Sequence, residues 1–242
     1  MTQANPEPPK KPDFSEKEKD KIWLSEQKSL RKLVGVLGML LPLLLYLFLY
    51  FASGHGRPLE SVSHYYFTRS SVIFSVILSL LAIFLLLYKG KDPVDFVVSA
   101  AAGIFALCVL IFPTTNLAES CCDENAAYAI TFLKVNGDVR STFHFISAGI
   151  FLACLAYMSI FLFTKSDKTV SERTREKKAR NRIYRVCGVL MILAILVVVA
   201  PASIIDPVFY KTNHLTFWME TLAVESFGFS WLVKGEFILK DK

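Results

Sequence analysis

Glu225 is the residue of this chain whose chemistry fits its surroundings least. It lies about halfway along an apolar stretch, Leu215–Val233, that also contains Glu220 and Thr221. If the stretch crosses a bilayer, an ionised carboxylate near the middle costs at least about 2.5–3.5 kcal/mol on insertion scales, so the residue is a functional-site candidate. A helical wheel places Glu225 on one inward-facing stripe with His214, Trp218, Thr221 and Gly228 and leaves Glu220 well off that stripe.

The stretch of Glu225 contains no lysine or arginine that could pair with its carboxylate. One interpretation is a neutral acid that is hydrogen-bonded to a hydroxyl or carbonyl and fixes helix packing. The others are a proton-relay acid, a cation ligand, or a general acid in an outward-facing cavity. His144 and the serines of the second apolar stretch are the expected partners.

Three histidines, His64, His144 and His214, occupy the outer ends of three different apolar stretches and so lie at similar depth. Three imidazoles with a nearby carboxylate can hold a divalent metal, whose bound water is a nucleophile at neutral pH. None of them belongs to an H-E-x-x-H pair. The alternative is that each hydrogen-bonds a loop or a lipid headgroup.

Arg69 ends a segment, Ser61–Arg69, that combines hydroxyls, an imidazole and a guanidinium. Such a segment can clamp a phosphate, although its tyrosines also suit an interfacial aromatic belt. Ser147 follows His144 on the same helical face. The candidate ligand-binding residues are therefore His64, Arg69, His144, Ser147, His214, Glu220, Thr221 and Glu225, and the candidate metal ligands are His64, His144 and His214.

The elements that would position these residues are membrane helices. The chain has 242 residues, of which 53% are hydrophobic, and its apolar residues form blocks long enough to cross about 30 Å of hydrocarbon. The predicted fold is all-α, a polytopic bundle of six transmembrane helices. The six spans are Leu33–Phe51, Ser70–Tyr88, Phe96–Phe112, Phe143–Phe163, Val186–Ile205 and Leu215–Val233.

The distribution of lysine and arginine predicts the orientation. With both termini in the cytoplasm, the cytoplasmic segments hold 22 of the 27 basic residues. This asymmetry indicates a multi-pass protein of the plasma or inner membrane with an even number of spans. We expect the formal net charge of +6 to attract anionic lipid headgroups to the cytoplasmic segments and do not expect nucleic acid binding.

We divide the chain into a cytoplasmic basic segment, residues 1–32, a six-span membrane domain, residues 33–233, and a cytoplasmic tail, residues 234–242. The first segment is expected to be disordered at its start and then either an interfacial helix or a solvated charged leader. Cys121 and Cys122 are adjacent in an outer loop. Their position is consistent with a vicinal disulfide, with a disulfide between subunits, or with two thiols.

Several segments resemble a group of bacterial six-span membrane proteins of uncharacterised function, and more distantly the DRAM/Sfk group of six-span proteins. The resemblance implies a six-helix bundle over about Leu33–Glu236, and it implies no reaction or catalytic residue. The segments that carry it are Ser61–Arg69, Gly103–Leu107 with Phe112–Thr114, His144–Ser147, Phe217–Glu220 and Phe227–Glu236.

The residues together predict a membrane protein that binds a lipid, a small ligand or a partner protein in an outward-facing polar cavity. The alternative is a metal-assisted membrane hydrolase of a lipid or headgroup, with the histidines as ligands of a divalent metal and Glu220 or Glu225 as acid or base. The first function needs no cofactor. Whether the chain is an enzyme, and whether it forms a homo-oligomer, stay open.

Overall fold

The structure, a computed structural model, describes residues 16–90, 92–118, 124–130, 138–166, 169, 172–200 and 203–239. This part of the chain is helical, with one isolated antiparallel bridge between Thr68 and Ala129. Two short 3₁₀ helices, Val62–Phe67 and Glu124–Ala127, and a π-helical turn, Met158–Leu162, accompany the α-helices. The α-helices are α1 Glu16–Ser53, α2 Ser71–Leu87, α3 Pro93–Ile111, α4 Asp138–Tyr157, α5 Arg175–Val198, α6 Pro207–Thr212 and α7 Leu215–Lys234.

Within the described residues, four helical segments are long and apolar enough to cross a membrane. The predicted all-α, multi-pass membrane character is thus confirmed, whereas the number six is not. Helix α2 is apolar but has 17 residues, and α7 is not among the four. The four segments are Gln27–Ser53, Pro93–Ile111, Val139–Leu162 and Arg175–Val198.

Some predicted boundaries differ from the structure. Helix α1 starts at Glu16, so the division at residue 32 falls inside one continuous helix. Helix α2 starts at Ser71 because residues 62–67 form the separate 3₁₀ helix. Helix α5 ends at Val198 instead of Ile205, in keeping with Pro201 in the sequence, since helices usually end before a proline. The predictions for residues 1–13, Cys121, Cys122 and residues 240–242 lie outside the described residues.

Helix α7 packs between α1 and α5, while α3 packs between α2 and α4. Gly228 allows the closest approach, because a Cβ there would lie 2.7 Å from the carbonyl oxygen of Gly35 and 2.8 Å from the backbone nitrogen of Met39. Helices in lipid associate through small residues at their crossings, because the hydrophobic effect does not drive them together there. This crossing fixes the rotation of α7 about its axis.

The bundle has two distinct ends. The first, which we name the loop end, holds segment 54–70, segment 124–130 and helix α6. The second, the basic end, holds Lys89, segment 163–166 and Lys234. Segment 54–70 is tied to segment 124–130, since the backbone N–H of Arg69 donates to Tyr128 and that of Ile130 donates to Phe67.

Candidate functional site

A cavity of about 480 Å³ opens at the loop end between α4, α5, α6 and α7. Its wall is mostly apolar, with a few polar groups on the side of α6 and α7. The lining residues are Phe145, Ala148, Gly149, Leu152, Ala194, Ile195, Val198, Val199, Ala200, Ile205, Pro207, Tyr210, Lys211, Thr216, Met219, Glu220 and Ala223.

Small side chains leave this space open. Gly149 on α4 faces the cavity, and a Cβ added there would meet no atom within 4 Å. Ala148, Ala194 and Ala223 continue the same wall from three different helices. These small residues leave a recess between the helices that is large enough for a small ligand. The cavity is therefore a candidate binding site.

Glu220 is the acidic residue of the cavity wall. Its Oε2 accepts a hydrogen bond from the backbone N–H of Val62 at 2.7 Å. One turn earlier, the N–H of Phe217 donates to the carbonyl of Glu60 at 3.1 Å. These two bonds fix segment 54–70 against the first turn of α7, so the carboxylate is held in a defined position beside the cavity.

Helix α6 borders the cavity at the loop end. Asp206 caps it, accepting from the N–H of Phe209 at 2.8 Å, and Pro207 occupies the first turn, where its missing N–H costs nothing. The hydroxyl of Tyr210 lies 2.9 Å from that of Thr216 on α7. Lys211 adds an ammonium group to the wall. The chain then reverses at His214, whose φ of 49° is left-handed.

This arrangement suits an amphipathic molecule. Ligand sites are typically apolar recesses in which a few polar groups fix the orientation of the ligand. Here the apolar side chains of α4 and α5 can contact a hydrocarbon body, while Glu220, Lys211 and the Tyr210–Thr216 hydroxyl pair offer polar contacts at one side. A charged or hydrogen-bonding end group would therefore lie against α6 and α7.

Three predicted site residues form a separate, buried cluster away from this cavity. The Nδ1 of His64 and the Oγ of Ser61 share a hydrogen bond of 2.8 Å. Burial, reinforced by the neighbouring His144, lowers the pKa of His64 to about 4. His144 Nδ1 lies 2.9 Å from the carbonyl oxygen of Phe112, so it donates there, and Ser147 on the next turn is fully buried. His64 lies in the 3₁₀ helix, whereas His144 and Ser147 lie on α4.

His214 does not join that cluster. It lies before α7 and lines a smaller cavity of about 110 Å³ with Glu60 and Lys211. Among the residues that the structure describes, no group of three or more His, Cys, Asp or Glu side chains is placed to hold a metal ion. The arrangement of the histidines thus gives the metal-assisted hydrolase no support, and that alternative stays a prediction.

Glu225 does not face the interior, and its predicted orientation is wrong. Its side chain is exposed, as is that of Trp218, although Gly228 of the same predicted stripe is buried against Gly35 of α1. The crossing at Gly228 thus leaves the Trp218–Glu225 side of α7 outside the bundle. Glu225 makes no hydrogen bond or ion pair with any described residue. It borders two surface grooves, one with Thr221 and one with Arg182.

Arg69 is also exposed, at the end of segment 54–70. The eight predicted site residues therefore do not converge, and of them only Glu220 lines the 480 Å³ cavity. Sequence reasoning missed Gly149, Tyr210, Lys211 and Thr216. Asp206-Pro207 was the available signal for α6, because an acidic cap followed by proline favours a helix start. No sequence signal distinguishes a glycine beside a cavity from one at a helix crossing.

In comparisons with known proteins, no protein-family model, no curated protein and no solved structure matches the chain.

Proposed function

We propose that the protein is a six-span membrane protein that binds a lipid or a small amphipathic molecule in the 480 Å³ cavity, with the polar end of the molecule against Glu220. The observation that carries this proposal is a carboxylate fixed on the wall of an otherwise mostly apolar recess. A recess between helices suits a small molecule better than a partner protein, which needs a broad surface.

The proposal includes six spans with both termini in the cytoplasm of a plasma- or inner-membrane protein. Helix α2 is about 26 Å long at 1.5 Å per residue and α7 about 30 Å, which approach the thickness of the hydrocarbon. The alternation of loop end and basic end along the chain agrees with six crossings. The cavity then opens toward the outer side, and the basic end faces anionic headgroups of the inner leaflet.

The topology is tested with single cysteines introduced at exposed positions, after the five native cysteines have been replaced by serine, and with a membrane-impermeant maleimide on intact cells. We expect labelling of Arg57→Cys at the loop end and none of Arg175→Cys at the basic end until the cells are permeabilised. The reverse pattern would invert the orientation, and labelling of both would remove the six-span arrangement.

The binding proposal is tested by photo-crosslinking of the full chain in neutral detergent. The probes are photoactivatable molecules of equal chain length that end in an amine, an alcohol or a carboxylate. Glu220 is held in place against the apolar wall, whereas Lys211 is exposed to solvent, so we expect the amine to label best. The labelled peptides should come from residues 145–152, 194–200 and 216–223. Stronger labelling by the carboxylate would contradict the role given to Glu220.

Two variants of α4 separate occupation of the cavity from general lipid contact. Gly149→Leu puts a side chain into the open space, and we expect it to reduce labelling at least fivefold. Ala153→Leu introduces the same side chain one turn later at an exposed position outside the cavity and should leave labelling unchanged. Equal labelling in both variants would show that the probe binds elsewhere.

A further inference from the structure

A second cavity, of about 350 Å³, lies at the basic end and differs from the first in being lined by charges. None of its residues belongs to the wall of the 480 Å³ cavity, so it goes beyond the proposed function. The lining residues are Gln27, Lys28, Arg31, Tyr88, Lys89, Gly90, Asp95, Leu162, Lys165 and Lys234.

Five cationic side chains reach this cavity from four separate parts of the chain. Lys28 and Arg31 come from α1, Lys89 follows α2, Lys165 follows the π-helical turn, and Lys234 ends α7. Like charges repel, so gathering five of them around one recess is costly unless anions compensate them. The convergence therefore needs a physical reason.

Carboxylates of the chain compensate part of this charge. Lys165 Nζ lies 2.6 Å from Asp92 and 2.5 Å from Asp95, and these hydrogen bonds raise the pKa of Lys165. Lys28 forms an ion pair of 2.6 Å with Glu236. Among the residues that the structure describes, five cationic groups thus face three carboxylates, an excess of two positive charges.

The cavity is also built with defined packing. The guanidinium of Arg31 lies 5.9 Å from the centre of the Tyr88 ring and donates to Gln27 at 3.1 Å. Gly90 approaches Asp95 so closely that a Cβ would lie 2.2 Å from the Asp95 Cβ. Arginine held against an aromatic ring keeps several N–H groups in a fixed plane, a geometry that suits phosphate oxygens.

The position of the cavity fits a group at the surface of the bilayer. Lys89 stands two residues after the end of α2, and Lys234 is the last residue of α7. Basic pockets between membrane helices on the cytoplasmic side are suited to phosphorylated lipid headgroups. We infer that this cavity is a binding site for a phosphate anion, with Arg31 and Lys89 as its main contacts. The anion is either the headgroup of an anionic lipid or a soluble phosphate compound.

The test compares two double variants that change the charge equally. Arg31→Gln/Lys89→Gln removes two cations from the cavity. Arg175→Gln/Lys178→Gln removes two exposed cations on α5, at the same end but outside the cavity. Each full-length protein is placed in phosphatidylcholine nanodiscs with or without about one-fifth phosphatidylglycerol, at a fixed ionic strength because salt screens exposed charges. Retained lipid is counted by native mass spectrometry.

We expect one phosphatidylglycerol to stay on the parent protein and on the α5 variant, and its retention to fall at least tenfold in the cavity variant. A second arm adds glycerol 3-phosphate or inorganic phosphate to phosphatidylcholine nanodiscs and measures the melting temperature. Saturable stabilisation in this arm alone, lost in the cavity variant, would assign the site to a soluble phosphate.

Three results would overturn the inference. The first is an equal loss of phosphatidylglycerol from both double variants, which would indicate diffuse attraction to the basic end. The second is equal retention of phosphatidylglycerol by both double variants. The third is that the parent protein binds no anion in either arm. If the double cavity variant is not folded, Lys89→Gln alone gives the comparison, because Lys89 is exposed and outside the helices. Failure here leaves the amine labelling of the Glu220 cavity unaffected, so the two proposals can fail separately.

Discussion

The two faces of α7 carry one carboxylate each in opposite surroundings. Glu220 and Phe227, seven residues apart, lie on the inner face, where Phe227 is 1% exposed and Glu220 accepts the N–H of Val62. Trp218 and Glu225, also seven apart, lie on the outer face, where Trp218 is 52% exposed. The sequence places Glu220 and Glu225 in one apolar stretch, and the rotation of the helix about its axis gives the two carboxylates different surroundings. The following variants test that rotation.

Gly228→Leu should have the largest effect on folding. Its Cβ would meet the side chain of Met39, which can move, and the main chain of α1 at Gly35 and Met39, which cannot. Overpacking costs typically about 1–3 kcal/mol, and we expect the upper end or beyond because the obstacle is main chain. Gly149→Leu is the matched control, since it adds the same side chain into open space. Unfolding in detergent measures both, and a similar loss of stability would refute the assigned crossing.

Acid should destabilise the 3₁₀ helix of segment 54–70, in which His64 is buried. The pKa of His64 is lowered to about 4 by burial and by His144, whereas the unfolded chain binds this proton near pH 6.5. The contribution of His64 to the free energy of unfolding is therefore complete above pH 6.5. It is lost as the pH falls toward 4, by about 3 kcal/mol in total.

The free energy of unfolding of the parent and of His64→Asn, measured between pH 4 and 7.5, checks this prediction. The variant lacks the imidazole, so its stability should fall less steeply over the same range. Parallel curves would mean that another group carries the acid sensitivity and that burial of His64 contributes none of it.

The positions of the helices follow from the sequence because about twenty apolar residues in a bilayer must satisfy their own backbone, and a helix does so. The apolar block Leu215–Val233 accordingly matches α7, Leu215–Lys234, almost residue for residue. The end of α5 was overestimated because Ala200 to Ile205 are mostly as apolar as the helix itself. Apolar composition therefore predicts the presence of a helix better than it predicts the residue at which the helix ends.

The candidate site was less predictable for a geometric reason. Five residues turn a helix by about 140°, so Glu220 and Glu225 can only be assigned to faces once the partner of the helix is known. That partner is α1 at Gly35, nearly two hundred residues earlier in the chain, and several other small residues could have made the crossing. The cavity itself arises where four helices fail to fill space, which no local pattern encodes.

Glu220→Ala should lower the free energy of unfolding by less than Gly228→Leu does, but by a measurable amount. It leaves the N–H of Val62 without its acceptor, and a buried donor left unpaired costs about 1–3 kcal/mol. Glu220→Gln keeps an oxygen at the same place and should recover most of that stability. The pair also separates structure from binding, because Glu220→Gln folds normally under this assignment but should lose the preference for the amine probe. Equal stability of the Ala variant and the parent would remove the anchoring role.

Glu225→Leu should have the smallest effect on folding, and its smallness is informative. The carboxylate of Glu225 is exposed on the bundle and would face lipid equally on a separated helix, so its cost is the same before and after the helices associate. The free energy of unfolding should change by no more than about 0.5 kcal/mol, as for other surface positions. If α7 is a span, as the six-span proposal states, its membrane insertion should improve instead, since a charged side chain is removed from its centre. A loss of stability above about 1 kcal/mol would show that Glu225 has a partner inside the bundle and would return it to the inner face.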